Sequence, residues 1–228
     1  KGAETLTVEG SFTGNDSKLS STEGNIVLNG TGNSLTTLEL AGGDITLDGR
    51  NDGASRVTTV ENLASGTGGG TLDLGKGAQL VVTGQQAGSH VTDVTVSGDG
   101  TLILGGEGTD SSLTLGNGSS LDGVLLDIRE GSALSTAAGS VNTVSGLTGG
   151  GALKLSGAEM TVDSSASHTF TGTLDGASGT LNFKSGNGSV QTIKGAGNAG
   201  YNLNVTDGGA LTLAGAPAEG GNPAQAAY

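Results

Sequence analysis

An all-β fold, a right-handed parallel β-helix or solenoid, is what this sequence predicts, and three observations predict it. Apolar and polar residues alternate in short stretches, and a period of two lines the Leu and Val of each stretch along one face of a strand. The stretches end in Gly, Asn or Asp. Asp precedes Gly at Asp48, Asp52, Asp99, Asp122, Asp175 and Asp207, and Asn does so at Asn29, Asn117 and Asn187; such pairs tolerate positive φ and make tight turns. Larger units also recur: GGGTLDL at Gly68 returns as GDGTLIL at Gly98, both G-x-G-T-L-x-L, and in varied form as GGGALKL at Gly149, ASGTLNF at Ala177 and DGGALTL at Asp207, with the first Leu at Leu72, Leu102, Leu153, Leu181 and Leu211. These spacings lie in the range of solenoid repeats, whose units bury their apolar faces by stacking.

The elements follow in chain order. TLTVEG, NIVLNG and DITLDG open the chain, and TLDLG, VTVSG, TLILGG, SLTLG, ALKLSG, NLNVTDGG and ALTLAG continue it. The segment LDGVLLDIREG carries two periods. Leu121, Val124, Leu125 and Ile128 fit a helix stripe, whereas Val124, Leu126 and Ile128 alternate. Gly123 and Gly131 leave too few residues between them for a stable helix, so a strand is expected. Leu72, Leu74, Leu102, Leu104, Leu153 and Leu155 are expected to point inward and Ile103 outward. With about 20 to 30 residues per coil, the chain should make about 8 to 11 coils. At ~4.8 Å per strand, their stack should be about 40 to 55 Å long. Residues 1–213 read as the solenoid. Residues 214–228 hold both prolines and leave the alternation, so they read as a linker or C-terminal tail.

Composition agrees with a narrow interior. The 228 residues include 27 Leu and 15 Val but only 3 Phe, 2 Tyr and no Trp, so aliphatic side chains must close the core. Glycine supplies 46 residues and cysteine none, which excludes a disulfide framework or thiolate metal site. The net charge of −13 is scattered, without a basic stripe, and repels phosphate backbones and anionic lipid. Nucleic acid is therefore not an expected partner, and no apolar stretch is long enough for a membrane-spanning helix.

SGLTGGGALKLSGA (Ser145 to Ala158) and FTGTLDGASGTLNFKSG (Phe170 to Gly186) resemble the autotransporter-associated β-strand repeat of Gram-negative autotransporter passenger regions. The similarity extends over most of Val57 to Gly215 and is looser before it. The resemblance implies an extracellular or cell-surface stalk and adhesin, exported through a covalent C-terminal outer-membrane barrel in the full-length protein. Host cell surfaces, matrix or sister molecules are the partners it implies.

Chemical motifs come close to this sequence without completing themselves. GGEGTDSSL (Gly105 to Leu113) approaches the calcium nonapeptide GGxGxDxUx, but Ser112 stands where a core-facing apolar residue is needed, and no neighbouring stretch repeats it. Asp110 is thus expected to be a corner residue, with Gly105, Gly106 and Gly108 turning the chain between TLIL and SLTL. GTLDLGKG (Gly70 to Gly77) fits a phosphate loop up to Lys76, but Gly77 replaces the hydroxyl residue and TLDL is strand-like. His90 and His168 lie in no catalytic motif and are expected at solvent-facing turns. A carbohydrate-active β-helix enzyme is the alternative, with Asp44 and Asp48, or Asp122 and Asp127, as its carboxylate pair. Against it stands the shortage of aromatic sugar platforms. The expectation is a non-enzyme with no catalytic, cofactor-binding or metal-ligating residue assigned.

Overall fold

The computed structural model describes residues 4–14, 16–48, 56–175, 178–185, 188–195 and 201–214. Every regular element among them is a β-strand, and all ladders between these strands are parallel. The chain winds as a β-helix with three faces. The first sheet stacks Thr5–Val8, Asn25–Leu28, Asp44–Leu47, Gly70–Leu74, Val94–Ser97, Ser120–Asp122, Val141–Val144, Glu159–Ser164, Thr180–Ser185 and Asn202–Thr206. The second stacks Lys18–Ser21, Asn33–Leu40, Arg56–Ser65, Ala78–Val82, Thr101–Leu104, Leu125–Ile128, Gly146–Gly149, His168–Phe170, Gln191–Ile193 and Leu211–Leu213. The third, confined among the described residues to the middle coils, stacks His90–Val91, Ser112–Leu115, Ala133–Thr136, Ala152–Lys154 and Thr173–Leu174.

Register fixes the coil length. Asn142 pairs with Met160 and Ile45 with Leu72, so a coil takes between 18 and 27 residues. The ten rungs of the first sheet span about 43 Å at ~4.8 Å per strand.

Inward side chains form columns. Leu6, Ile26, Ile45 and Leu72 follow one another in the first sheet, and Val96 and Leu121 continue them. Leu80, Leu102, Leu126 and Leu147 do the same in the second, and Leu113, Leu134, Leu153 and Leu174 in the third. All six leucines expected inside, from Leu72 to Leu155, are fully buried. LDGVLLDIREG is two strands meeting at a corner, with Val124, Leu126 and Ile128 buried and Leu125 and Asp127 only partly so.

Ile103 departs from expectation. It lies outside the interior cluster, yet it is only 5% exposed. The register stacks it on Val81, itself 8% exposed, so two apolar side chains in adjacent coils shield each other on the outer face.

The recurring G-x-G-T-L-x-L unit does not mark one position per coil. Its copies at Leu72, Leu102, Leu153, Leu181 and Leu211 lie on the first, second, third, first and second sheets in turn. Each copy sits one face further round after one or two whole coils. The repeated object is a glycine corner plus a strand, which serves any of the three faces because each asks the same of its residues.

Where the backbone ladder lapses, a side chain of another coil takes over the backbone hydrogen bond. Asn33 Oδ1 accepts from the Phe12 N–H at 2.8 Å, Gln85 Oε1 from Leu63 at 2.8 Å, and Asn142 Oδ1 from Leu121 at 3.0 Å. Gln191 reaches furthest, with Oε1 accepting from the Leu147 N–H and Nε2 donating to the Leu147 carbonyl. All four polar residues are buried, where an orphaned amide would cost about 1–3 kcal/mol.

Candidate functional site

The residues singled out by the sequence do not converge. Asp44 opens its strand, where its Oδ1 accepts the Thr71 N–H at 2.8 Å, and Asp48 follows the strand's end. Four residue steps of extended chain separate their Cα atoms by about 13 Å, wider than the ~5–9.5 Å between glycosidase carboxylates. Asp122 ends a strand of the first sheet, whereas Asp127 lies in the second and accepts from the Thr148 hydroxyl at 3.2 Å. Lys76 is exposed in the turn after the Gly70–Leu74 strand, so TLDL is strand and does not wrap around a phosphate.

The two histidines occupy different sheets. His90 is exposed in the third. His168 is not solvent-facing as expected. It is half-buried in the second sheet with its ring against Gly146 of the preceding coil, and burial pushes its pKa below the ordinary imidazole value.

GGEGTDSSL is the corner between the Thr101–Leu104 and Ser112–Leu115 strands, and Leu113 is the residue that enters the core. Asp110 is exposed, and its carboxylate lies against Gly131 of the next coil. Gly131 has a φ of +81°, and any Cβ there would strike that carboxylate. The same packing joins Asp73 to Gly98, Asp93 to Gly118 and Asp127 to Gly149. Among the described residues, Asp110 is thus one of four aspartates that pack over a glycine of the following coil. Among the described residues, no three His, Cys, Asp or Glu side chains group in a way that could hold a metal ion.

The chemistry instead lies on the outer faces. On the first sheet, outward positions form two columns, one running Thr7, Val27, Thr46, Asp73, Ser97 and the other Thr5, Asn25, Asp44. Hydroxyls, amides and carboxylates in them bond from coil to coil. The Thr46 hydroxyl donates to Asn25 Oδ1, Thr95 and Ser120 share a hydroxyl contact at 3.3 Å, and Asn204 donates to Asn182, which donates to Glu159. Basic residues are tied into neighbouring coils: Lys18 pairs with Glu39 at 2.8 Å, Lys184 with Asp163 at 3.5 Å and Lys154 with Asp175 at 3.6 Å. Hydrogen bonds from Lys18 and Ser20 hold the Glu39 carboxyl below its usual range. With 22 acidic residues against 9 basic ones, pairing of these three lysines leaves a polar surface of acidic excess.

Sequence reasoning missed one concave feature. On the outer side of the second sheet, Gly14, Asp16, Ser34, Leu35, Thr36, Thr59, Glu61 and Thr83 line a cleft of about 260 Å³. Its two carboxylates and its hydroxyls come from four stretches of chain far apart in sequence, and no spacing rule joins them. The volume lies below the roughly 300–1,000 Å³ of ordinary ligand pockets, so it accommodates one small polar group. Compared with protein-family models, curated proteins and solved structures, the chain gives no match.

Proposed function

We propose that this chain is a non-catalytic passenger segment of an autotransporter, displayed on or released from a Gram-negative cell, where it acts as a stalk and adhesin. The observation that carries this reading is the outer face of the first sheet, ten rungs of mostly Thr, Ser, Asn and Asp bonded from coil to coil. Such a surface offers many similar weak donors and acceptors along a rod and suits attachment to repetitive partners such as cell-surface glycans, matrix proteins or sister molecules, where avidity replaces a single tight pocket. The resemblance of Ser145 to Ala158 and Phe170 to Gly186 to passenger repeats supports the same reading.

The test is display. Placed between an export signal and an outer-membrane barrel, the chain should become accessible to external protease, and the cells should gain adhesion to immobilised matrix. Thr95→Arg with Thr143→Arg should reduce that adhesion while leaving the melting temperature unchanged. Retention inside the cell, or display without adhesion, contradicts the proposal. The cleft with Asp16 and Glu61 favours a second reading, a carbohydrate-active β-helix. Release of reducing sugar from polysaccharide by the wild type but not by Glu61→Gln would establish it.

A further inference from the structure

An asparagine that precedes glycine carries a latent reaction, because the next backbone nitrogen is unshielded by any side chain and can attack the asparagine amide. The three Asn–Gly pairs of this chain stand in different surroundings. Asn29 is buried, its Nδ2 donates to Glu9 Oε1 at 3.0 Å, and Gly30 packs so closely on the preceding coil that a Cβ there would strike the Gly10 carbonyl. Asn187 lies outside the described residues. Asn117 is exposed, and among the described residues neither its side-chain amide nor the Gly118 N–H makes a hydrogen bond.

Asn117 and Gly118 are the central residues of the turn between the Ser112–Leu115 and Ser120–Asp122 strands, closed by the Ser119 N–H on the Gly116 carbonyl at 3.1 Å. Gly118 has a φ of +74°. The same turn recurs in the next coil, where the Ser140 N–H meets the Ala137 carbonyl at 3.2 Å, Gly139 has a φ of +75°, and Ala138 stands in the place of Asn117. Alanine suffices there, so the turn does not require the asparagine. One hydrogen bond among the described residues holds the peptide between Asn117 and Gly118, from the Asp93 N–H to the Asn117 carbonyl at 3.0 Å. Rotating that peptide toward the side-chain amide breaks this bond alone.

We propose that Asn117 is a site of spontaneous covalent modification, converted through a succinimide to isoaspartate and aspartate. The Gly118 nitrogen bonds to Cγ of Asn117, the Cγ–Nδ2 bond breaks, and Nδ2 departs as ammonia with the proton that Gly118 gives up. Water then opens the ring. Attack at Cγ leaves aspartate, whereas attack at the main-chain carbonyl leaves isoaspartate, whose main chain runs through Cγ and is one carbon longer. Solvent water is the only co-reactant. Either product brings a new carboxylate to the corner where the Asp93 carboxylate already lies against Gly118, and like charges repel there. The reaction thus loosens this corner from the preceding coil. It stands independently of the adhesin reading, because it uses a corner and not the outer sheet faces.

Mass spectrometry of the folded chain, held for days at about pH 8 and compared with the same chain at the start, tests it. Asn117 is the single asparagine of the tryptic peptide from Gly77 to Arg129, and Asn29 is the only one followed by glycine in the peptide from Leu19 to Arg50. The Gly77 peptide should gain the mass of an amide-to-acid exchange and accept methyl label from an isoaspartate-specific methyltransferase, while the Leu19 peptide should do neither. In urea both should convert, since the protection of Asn29 belongs to the fold. Asn117→Ala, the residue the next coil already carries in this turn, should keep the melting temperature and lose the label from the Gly77 peptide. An Asn117 that stays unconverted in the folded chain overturns the proposal. So does conversion of Asn29 as fast as Asn117, or label that persists in the Gly77 peptide of Asn117→Ala.

Discussion

Leu72 and Leu6 each follow a threonine and precede a polar residue, yet they have opposite fates. Both sit in a short alternating strand of the first sheet and point inward in the same column, but Leu72 is sealed between coils while Leu6 is largely open to solvent. The difference between the middle of the rod and its ends is therefore not written in the local pattern. A solenoid strand is buried by the strands above and below it, and stability is a sum over nearest-neighbour interfaces. Among the described residues, an interior rung has two such interfaces and the first and last rungs have one.

This contrast ranks the effects of substitution. Leu104→Asp places an unpaired charge in the sealed middle and should cost on the order of 4–5 kcal/mol or more. Ile103→Asp, one residue away on the outer face, should cost about 2 kcal/mol by losing its shielded contact with Val81, and its new charge would stand beside Asp127 in register. Val205→Asp at the end should fall within about 0.5 kcal/mol of wild type. Urea unfolding measures all three, and equal costs for Leu104→Asp and Val205→Asp would break the contrast.

The polar staples come next. Asn142→Ala removes the acceptor of the buried Leu121 N–H and should cost about 1–3 kcal/mol, with amide exchange at Leu121 accelerating more than at Leu72. Thr136 offers the reverse case. Its hydroxyl stands above Leu115 in an inward column of the third sheet, buried and without a hydrogen-bond partner among the described residues. Thr136→Val keeps the shape and removes the unsatisfied group, so it should stabilise by about 1 kcal/mol, a rise of about 2–4 °C in melting temperature for a chain of this size.

Smallest is a pH effect at His168. Burial lowers its folded pKa below the unfolded value of about 6.5, so over that interval the unfolded chain binds the proton first. The contribution of neutral His168 is complete above about pH 6.5 and is lost as pH falls from there through the folded pKa. Melting temperatures taken from about pH 8 to about pH 5 should show this loss in the wild type and a shallower slope in His168→Gln.

Alternation was enough to place Leu72, Leu74, Leu102, Leu104, Leu153 and Leu155 inside, because period two leaves a half-buried strand only one choice of face. It could not place Ile103, whose burial depends on which residue of another coil lies beside it. Register was equally hidden: the G-x-G-T-L-x-L copies look like one period of the helix, but they step from face to face. The staples at Asn33, Gln85, Asn142 and Gln191 left no signal either, since a buried amide and a surface amide read alike until the coils are stacked. Of the candidate sites, the Asp110 corner was legible from turn chemistry, whereas the cleft at Asp16 and Glu61 joins residues that only three-dimensional stacking brings together.

Strands distant in sequence lie side by side in this parallel register, and the absence of cysteine makes a direct test clean. Thr46, Asp73 and Ser97 occupy one outward column in three successive coils. Neighbouring Cα atoms in such a column lie about 4.8 Å apart, within disulfide range, and next-but-one neighbours about 9–10 Å, outside it. Under mild oxidation the double variant Thr46→Cys with Asp73→Cys should cross-link within the monomer, as should Asp73→Cys with Ser97→Cys, while Thr46→Cys with Ser97→Cys should stay reduced. Ready cross-linking of the Thr46 and Ser97 pair, with failure of the two neighbouring pairs, would contradict this stacking of the coils.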